Sequence, residues 1–519
     1  MGIPSYYKKL CNTVHALRSA SGGRVDWFFM DFNCLIYHCF HKESTPVYDG
    51  TDIWEIEFIE CIITYCRKVI QHVAPTRGVY IAIDGVVPMA KMRQQRLRRF
   101  KSVWCKKYES AKNGVTMGGW DTNAITPGTL FMNKLRMRLE KMVSEHASWK
   151  FSSSDEPGEG EHKIIAEWRK GKYSGNFGVY GLDADLIILS MLGREQCAFA
   201  NEIWLFREEI NAGKMVYDVS GEEVFEWFSI HALRAWLCTG YTGYTGYTTS
   251  AQETQFILNY CFAMTILGND FLPSSLGYKI RDDGHSQLIT IIQQLTSQGI
   301  FLVTPDTYEI DEKGIQSLFN LISANESERI LSYICKKQAH SRNADAIGLG
   351  ENNWPLGHIE ENSLMYGRQL DKSWRIKYMQ FFGLLYNRTT ISKICKEYLQ
   401  GIQWTWSYYT GNDVCYNWFY PFSLPPLWEW IREASMPAPM NIAIQAHDIR
   451  PVEQLALVLP LESWSLIPPC PERLFPQIAP QFYPDVFSFD SVGKRFFWEC
   501  ETMIPLPSIM ELKMIISSR

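Results

Sequence analysis

The sequence predicts an α/β fold, a parallel or mixed sheet covered by helices, because strand-like and helix-like segments alternate along its first 340 residues. Three short apolar runs stop abruptly at an acidic residue: Val25–Met30 before Asp31, Val79–Ile83 before Asp84, and Val179–Leu182 before Asp183. Runs of this length read as buried strands. Between and beside them, Ile53–Ile70, Ala90–Lys101, Thr129–His146 and Glu161–Lys170 carry apolar residues at helical spacing. At 519 residues the chain exceeds the roughly 250–300 that a single core organises, so a second region is expected. Residues 1–340 form the α/β region, 341–356 lose periodicity and gain Asn, Gly and Pro as a linker does, and 357–519 form the second region. The second region opens with a Trp/Tyr-rich stretch, 372–430, and continues into a Pro-rich tail. Gly240–Thr249, GYTGYTGYTT, repeats every three residues without an apolar face and reads as an exposed insertion loop.

Composition excludes several classes. A hydrophobic content of 46% with 14% aromatic residues is far too apolar for a disordered chain. A net charge of −5 argues against a general polyanion binder, so any contact with nucleic acid must be local. The 14 cysteines include no C-x-x-C, which removes the zinc-ribbon and redox-dithiol readings and leaves reduced thiols. The most apolar stretch, Phe256–Leu267, is interrupted by Asn259 and is too short to span a bilayer; the N-terminus has no apolar signal core. A soluble protein is expected. Gly2 is followed by Tyr6 where a myristoylation motif needs Ser or Thr, so lipidation is not expected. No Lys/Arg-rich import block is evident, which favours the cytoplasm.

Carboxylates at strand ends point to chemistry, because ligands of open α/β sheets sit in the crevice beyond the C-terminal ends of the strands. Asp31, Asp84, Asp183 and Asp185 are placed there, and the spacing of two in DAD lets both aspartates face one site. Glu159 and Glu161 stand on a Gly-rich turn, PGEGEHK, just before a helix, and Asp270 closes ILGND. Each Asp alone reads equally well as a turn or capping residue. Together they do not, since caps neither pair at spacing two nor recur after buried strands. Two carboxylates ~4 Å apart repel by about 4 kcal/mol at an effective dielectric of ~20, so converging acids require a cation. An all-oxygen set selects Mg²⁺, with Mn²⁺ able to substitute, and two such ions are the usual apparatus for in-line phosphodiester cleavage. His38, His41 and His162 lie nearby, but packing roles suit them better than ligation.

Directly after Asp84 comes AKMRQQRLRRFK. Lys91, Gln95 and Arg98 or Arg99 recur at i, i+4 and i+7/8, forming one polar face. Most charge runs are solvated helix faces. A cationic face beside a carboxylate crevice, in a chain of acidic net charge, instead suits a terminal phosphate held by Arg forks and a Lys point charge.

These segments resemble the 5′→3′ exoribonuclease family of the Xrn/Pacman and Rat types. The resemblance is carried by MGIP, DFNCLIYHCFH, AIDGVVPMAKMRQQRLRRF, NAITPGTLFM, PGEGEHKI, YGLDADLIILSML and ILGNDFLP, and continues through GIQWTWSYYTG, NWFYPF, QLALVLP, LIPP and FYPDV, nearly end to end. It implies a PIN or flap-endonuclease-like mixed sheet flanked by helices, with an adjoining, mainly helical second region that completes the active-site pocket. Asp31, Asp84, Glu159, Glu161, Asp183, Asp185 and Asp270 then match the catalytic metal ligands. Lys91, Gln95, Arg98 and Arg99 match a 5′-phosphate pocket too small for a cap or triphosphate. The implied substrate is single-stranded RNA with a 5′-monophosphate, and the implied partner activity is a decapping enzyme. The family usually stacks the first base on a histidine where this chain has Tyr37; a phenol ring also stacks, with Trp418 expected as the opposing ring. The chain stops where the second region ends, as expected of a minimal form. Two other readings compete: a flap-endonuclease-like DNA nuclease, for which no helix-hairpin-helix is evident, and a non-catalytic scaffold, which would not need every acid retained.

Overall fold

In the computed structural model, the residues described are 3–342 and 356–518, apart from 4, 20, 43–44, 115–118, 182, 198–199, 212–213 and 241–248. Most of the GYTGYTGYTT repeat and residues 343–355 of the expected linker therefore lie outside the described residues. The helix Glu326–Arg342 runs into the start of that stretch, so helical structure extends past the expected boundary at residue 340.

Seven strands make the central sheet: β1 (Arg18–Ser19), β2 (Trp27–Asp31), β3 (Gly78–Ala82), β4 (Lys150–Ser152), β5 (Gly175–Tyr180), β6 (Ala200–Glu208) and β7 (Phe225–Ser229). Their order across the sheet is β1-β7-β6-β5-β2-β3-β4. Strands β4, β3, β2, β5 and β6 run parallel, whereas β7 is antiparallel to β6 and β1 antiparallel to β7. The sheet is thus mixed and dominated by parallel pairs. Phe29 of β2 lies opposite Tyr80 of β3 and Val179 of β5, so the C-terminal ends of these three strands finish side by side.

Alternation along the strands divides the interior. Phe29, Ala82 and Val179 face a core containing the helices Gly160–Arg169, Asp185–Gln196 and Ser250–Met264, while Phe28, Ile81 and Tyr180 face the helices Asp52–Val73 and Leu130–Ser144. The central strands are apolar on both sides because both faces are covered. The first of these cores continues without a break into the second region, taking in Trp404, Trp406, Trp418 and Trp428. That region is mainly helical, with Arg388–Thr410 as its longest helix.

The basic helix is longer than its periodicity indicates, running from Met89 to Asn113. Its apolar residues Met89, Met92 and Phe100 pack into a third core with Leu455, Leu457 and Phe475 of the C-terminal region. Arg96 is fully buried there and donates to the carbonyls of Leu457, at 2.8 Å, and Phe482, under the rings of Phe100 and Tyr483. Part of the charge run is therefore structural. No helix among the described residues is long and apolar enough to cross a membrane.

Candidate functional site

The parallel strand ends deliver the acids. Asp31 is the last residue of β2, Asp84 follows β3 by two residues, and Asp183 and Asp185 follow β5, with Asp185 opening the helix Asp185–Gln196. Glu159 and Glu161 arrive on the PGEGE turn. Gly158 adopts φ 105°, a conformation costly for any side chain, and Gly160 lies so close to the strands that an added Cβ would stand 2.5 Å from Asp31 Oδ1. The Gly160 amide donates to Asp84 Oδ1 at 2.7 Å, and the Asn33 side chain donates to Asp84 Oδ2 at 2.9 Å. The turn is thereby fastened to β3, and its two glutamates point into the crevice beside Asp31.

Donor atoms of Glu161, Asp183 and Asp185 lie within 4.8 Å of one another, as do those of Glu159, Glu161 and His162. Asp270 joins through a cation: Lys91 Nζ stands 2.5 Å from Glu159 Oε2 and 2.7 Å from Asp270 Oδ2. All seven expected acids thus belong to one constellation, and each is buried or half-buried. Burial, together with repulsion from Asp84, Asp183 and Asp185, pushes the Asp31 carboxyl well above its ordinary range. Asp185 is driven up to about 7 by burial and then by Asp183 and Asp270, and Glu161 is raised by burial and by Asp185. Burial also works to raise Asp183, but neighbouring positive charge, Lys91 and Arg98 among it, holds that carboxyl below the usual value. Asp185 Oδ1 is buried without a hydrogen-bond partner. Acids held above their ordinary pKa and a buried orphan oxygen fit a site built for divalent cations, and the donor set is the oxygen-rich one that hard cations prefer.

Two of the three histidines take other roles. His38 pairs with Glu223 at 3.0 Å and stacks on Tyr65, and His41 terminates the helix Asn33–Phe40. His162 brings one ring nitrogen near Glu159 and Glu161, while its ring lies against Tyr408 at 3.9 Å between centroids.

The four expected phosphate-cup residues divide along the basic helix. Lys91 is drawn among the carboxylates, with Asp270 and Glu159 holding it charged against the effect of burial. Gln95 and Arg99 are buried on the same face, Gln95 reached by Gln454 at a long 3.5 Å. Arg98 is exposed. Arg99 Nη1 is buried with no hydrogen-bond partner, and burial lowers this guanidinium to about 10. A buried guanidinium nitrogen without a partner has the chemistry to accept an oxyanion as its hydrogen-bond partner. Tyr37 is half-buried and electrostatically coupled to Arg99. Trp418 is 9% exposed, pressed on Gly401 and lying 5.2 Å from Trp404, and its indole N–H has no partner. Tyr37 and Trp418 are not in ring contact with each other among the described residues.

Some supporting residues escape a reading of sequence alone. Tyr408 donates its hydroxyl to Glu159 Oε1 at 3.0 Å. Lys163 donates to the carbonyls of Ile83 and Ser153, each at 2.7 Å, bracing the loop that carries Asp84. Asn33 had a local signal, the D-x-N spacing after Asp31; Tyr408, 249 positions from Glu159, had none.

Comparison with known proteins agrees with this geometry. Residues 1–209 match the family described as XRN 5′-3′ exonuclease N-terminus, and residues 371–517 match the Xrn1 helical domain. The chain is 26% identical to human 5′-3′ exoribonuclease 1 over 97% of its own length and 33% of the relative's. It is 24% identical to 5′-3′ exoribonuclease 1 of Schizosaccharomyces pombe, covering 97% of this chain and 47% of the relative, and 23% identical to 5′-3′ exoribonuclease 2 of Gallus gallus, covering 97% and 68%. The chain thus spans between a third and a half of the length of the first two relatives.

Proposed function

We propose, on the premise that this chain belongs to the XRN 5′-3′ exonuclease family, that it is a 5′→3′ exoribonuclease acting on single-stranded RNA with a 5′-monophosphate and releasing nucleoside 5′-monophosphates. One observation carries the reading: Lys91, on the helix that also bears Gln95, Arg98 and Arg99, sets its ammonium between Glu159 and Asp270, and Arg98 of that helix lowers Asp183, so the cationic helix reaches the acidic constellation. A phosphate seated at Gln95, Arg98 and Arg99 brings the first bridging phosphodiester to the carboxylates.

Asp31, Asp84, Glu159, Glu161, Asp183, Asp185 and Asp270 would hold two Mg²⁺ ions, or Mn²⁺ in their place, which when bound supply an activated water and stabilise the leaving oxygen. The chain's own groups do the positioning. Asn33 and the Gly160 amide orient Asp84, and Tyr408 holds Glu159. Arg99 anchors the terminal phosphate, and Tyr37 stacks the first base, with Trp418 as the facing ring once the second region closes the pocket. Hydrolysis places water's hydroxyl on phosphorus and its proton on the departing 3′ oxygen. The shortened RNA keeps a 5′-phosphate, so each product is the next substrate and the reaction proceeds processively. A cap or triphosphate does not fit a cup made for one phosphate, so an upstream decapping hydrolysis must supply this end. The setting is the cytoplasm, where decapped messages arise.

The test is degradation of matched RNAs bearing a 5′-phosphate, 5′-hydroxyl, triphosphate or cap, with single-stranded DNA alongside. The reading requires Mg²⁺-dependent release of mononucleotides from the 5′-phosphate RNA alone. Equal loss of the hydroxyl RNA removes the phosphate cup, preferential loss of DNA indicates a DNA nuclease, and no degradation indicates a scaffold.

A further inference from the structure

On the opposite side of the basic helix from Lys91, Gln95 and Arg99, the side chains of Arg93, Leu97 and Lys101 line a cavity of about 450 Å³. Asp270, which accepts from Lys91, and Arg98 of the expected phosphate cup also form part of its wall, so the cavity adjoins both the acidic constellation and the cup. Its charge is unbalanced. Arg93 pairs with Glu501 at 3.3 Å, Arg281 with Glu499 at 2.8 Å, and Arg495 with Asp282. Three ammonium groups form no ion pair among the described residues: Lys101 donates to the carbonyls of Phe497 and Cys500, Lys279 reaches the Ser274 hydroxyl at 3.2 Å, and Lys494 stands free of one, so that Glu501, already paired with Arg93, and Glu499, already paired with Arg281, are the cavity's carboxylates that face them. Burial, and then repulsion from Lys494, pushes Lys279 down to about 7. Like charges gathered this way are costly unless an anion enters.

The cavity is built rather than incidental. A buried pair, Lys337 and Glu361, holds the loop that presents Lys494: Glu361 Oε1 accepts from the Gly493 amide at 2.7 Å, and Lys337 donates to the Ser491 carbonyl at 2.9 Å. Glu499 accepts from the Arg495 amide at 2.8 Å. Trp498 is 47% exposed at the rim, with the Arg281 guanidinium 5.0 Å above its ring, and Phe422 lines the wall. A volume at the lower end of the ~300–1,000 Å³ of small-molecule sites suits one nucleotide.

We propose that this cavity is a second anion subsite that takes the phosphate of a nucleoside 5′-monophosphate on Lys101, Lys279 and Lys494, with the base against Trp498. The inference rests on the exonuclease reading, because this ligand has the chemistry of that reaction's product. It places the product phosphate beside the metal site, next to the cup with which the cavity shares Arg98.

The test is acetylation of the intact protein in EDTA, with modification at Lys494 quantified by mass spectrometry in the presence of AMP, inorganic phosphate or a short 5′-hydroxyl RNA. AMP should slow labelling of Lys494 by about tenfold at saturation, phosphate should protect weakly, and the RNA should not protect. Lys494→Gln should relieve AMP inhibition of RNA degradation while leaving the rate without AMP unchanged. Equal labelling with and without AMP overturns the proposal. So does equal protection by 5′-hydroxyl RNA, which would make the cavity a strand track, or by phosphate, which would remove the nucleotide. Failure of the exonuclease reading is separately visible, as intact 5′-phosphate RNA beside a protected Lys494.

Discussion

At the residue scale, the site is a set of acids whose mutual repulsion is only partly offset by Lys91. Asp183→Ala or Glu161→Ala should abolish Mg²⁺-dependent mononucleotide release while circular dichroism and gel filtration stay unchanged; unchanged release would refute the assignment of these carboxylates. Tyr408→Phe removes a donor to Glu159 without opening a cavity. A hydrogen bond to a charged group is worth roughly 1.5–3 kcal/mol, so kcat should fall by about tenfold or more with little change in melting temperature. A kcat equal to wild type would reduce Tyr408 to packing. Most of the acids had a local signal: Asp31 ends β2, Asp84 follows β3 by two residues, Asp183 and Asp185 follow β5, and Glu159 and Glu161 stand on a Gly-rich turn. Tyr408 had none, since its role depends on where a distant helix docks.

At the element scale, strand ends and helix faces were legible, while extents depended on tertiary contacts. The basic helix continues to Asn113 because Trp104 packs on Phe489 at 4.9 Å and Lys101 caps carbonyls of the C-terminal region, contacts that no local periodicity announces. Arg96 belongs to this docking, and Arg96→Met should destabilise the protein by roughly 2–4 kcal/mol in denaturant titration, because the Leu457 and Phe482 carbonyls lose their donor. Glu326 supplies a pH-dependent element. It accepts from the amides of Trp428, at 2.8 Å, and Glu429, at 3.0 Å, and burial raises its carboxyl from 4.5 to about 7. Because the folded state binds this proton more tightly, Glu326 contributes stability below pH 4.5 that is lost as pH rises through 7, about 3 kcal/mol in all. Glu326→Gln should flatten the fall in stability between those values, measured as the difference between variant and wild-type melting curves; parallel curves would remove Glu326 from the pH response.

At the scale of the whole molecule, one core runs from the sheet through the tryptophans of the second region, and the Tyr408 to Glu159 bond crosses between the regions. Two-region organisation was visible in composition, but the continuity of the core was not, because apolar content does not reveal which surfaces meet. Packing on both sides of the sheet holds the acids in place against their mutual repulsion. Relieving that repulsion should stabilise the protein at the expense of function, so Asp185→Asn should raise the melting temperature in EDTA and weaken cation binding. The claim on which the rest depends is that these seven carboxylates bind divalent cations. Calorimetric titration of Mn²⁺ into the wild-type protein and into Asp183→Asn/Asp185→Asn tests it most directly: the account predicts saturable binding of two ions per chain that the double variant loses, and absent binding, or binding unaltered by the substitutions, would contradict it.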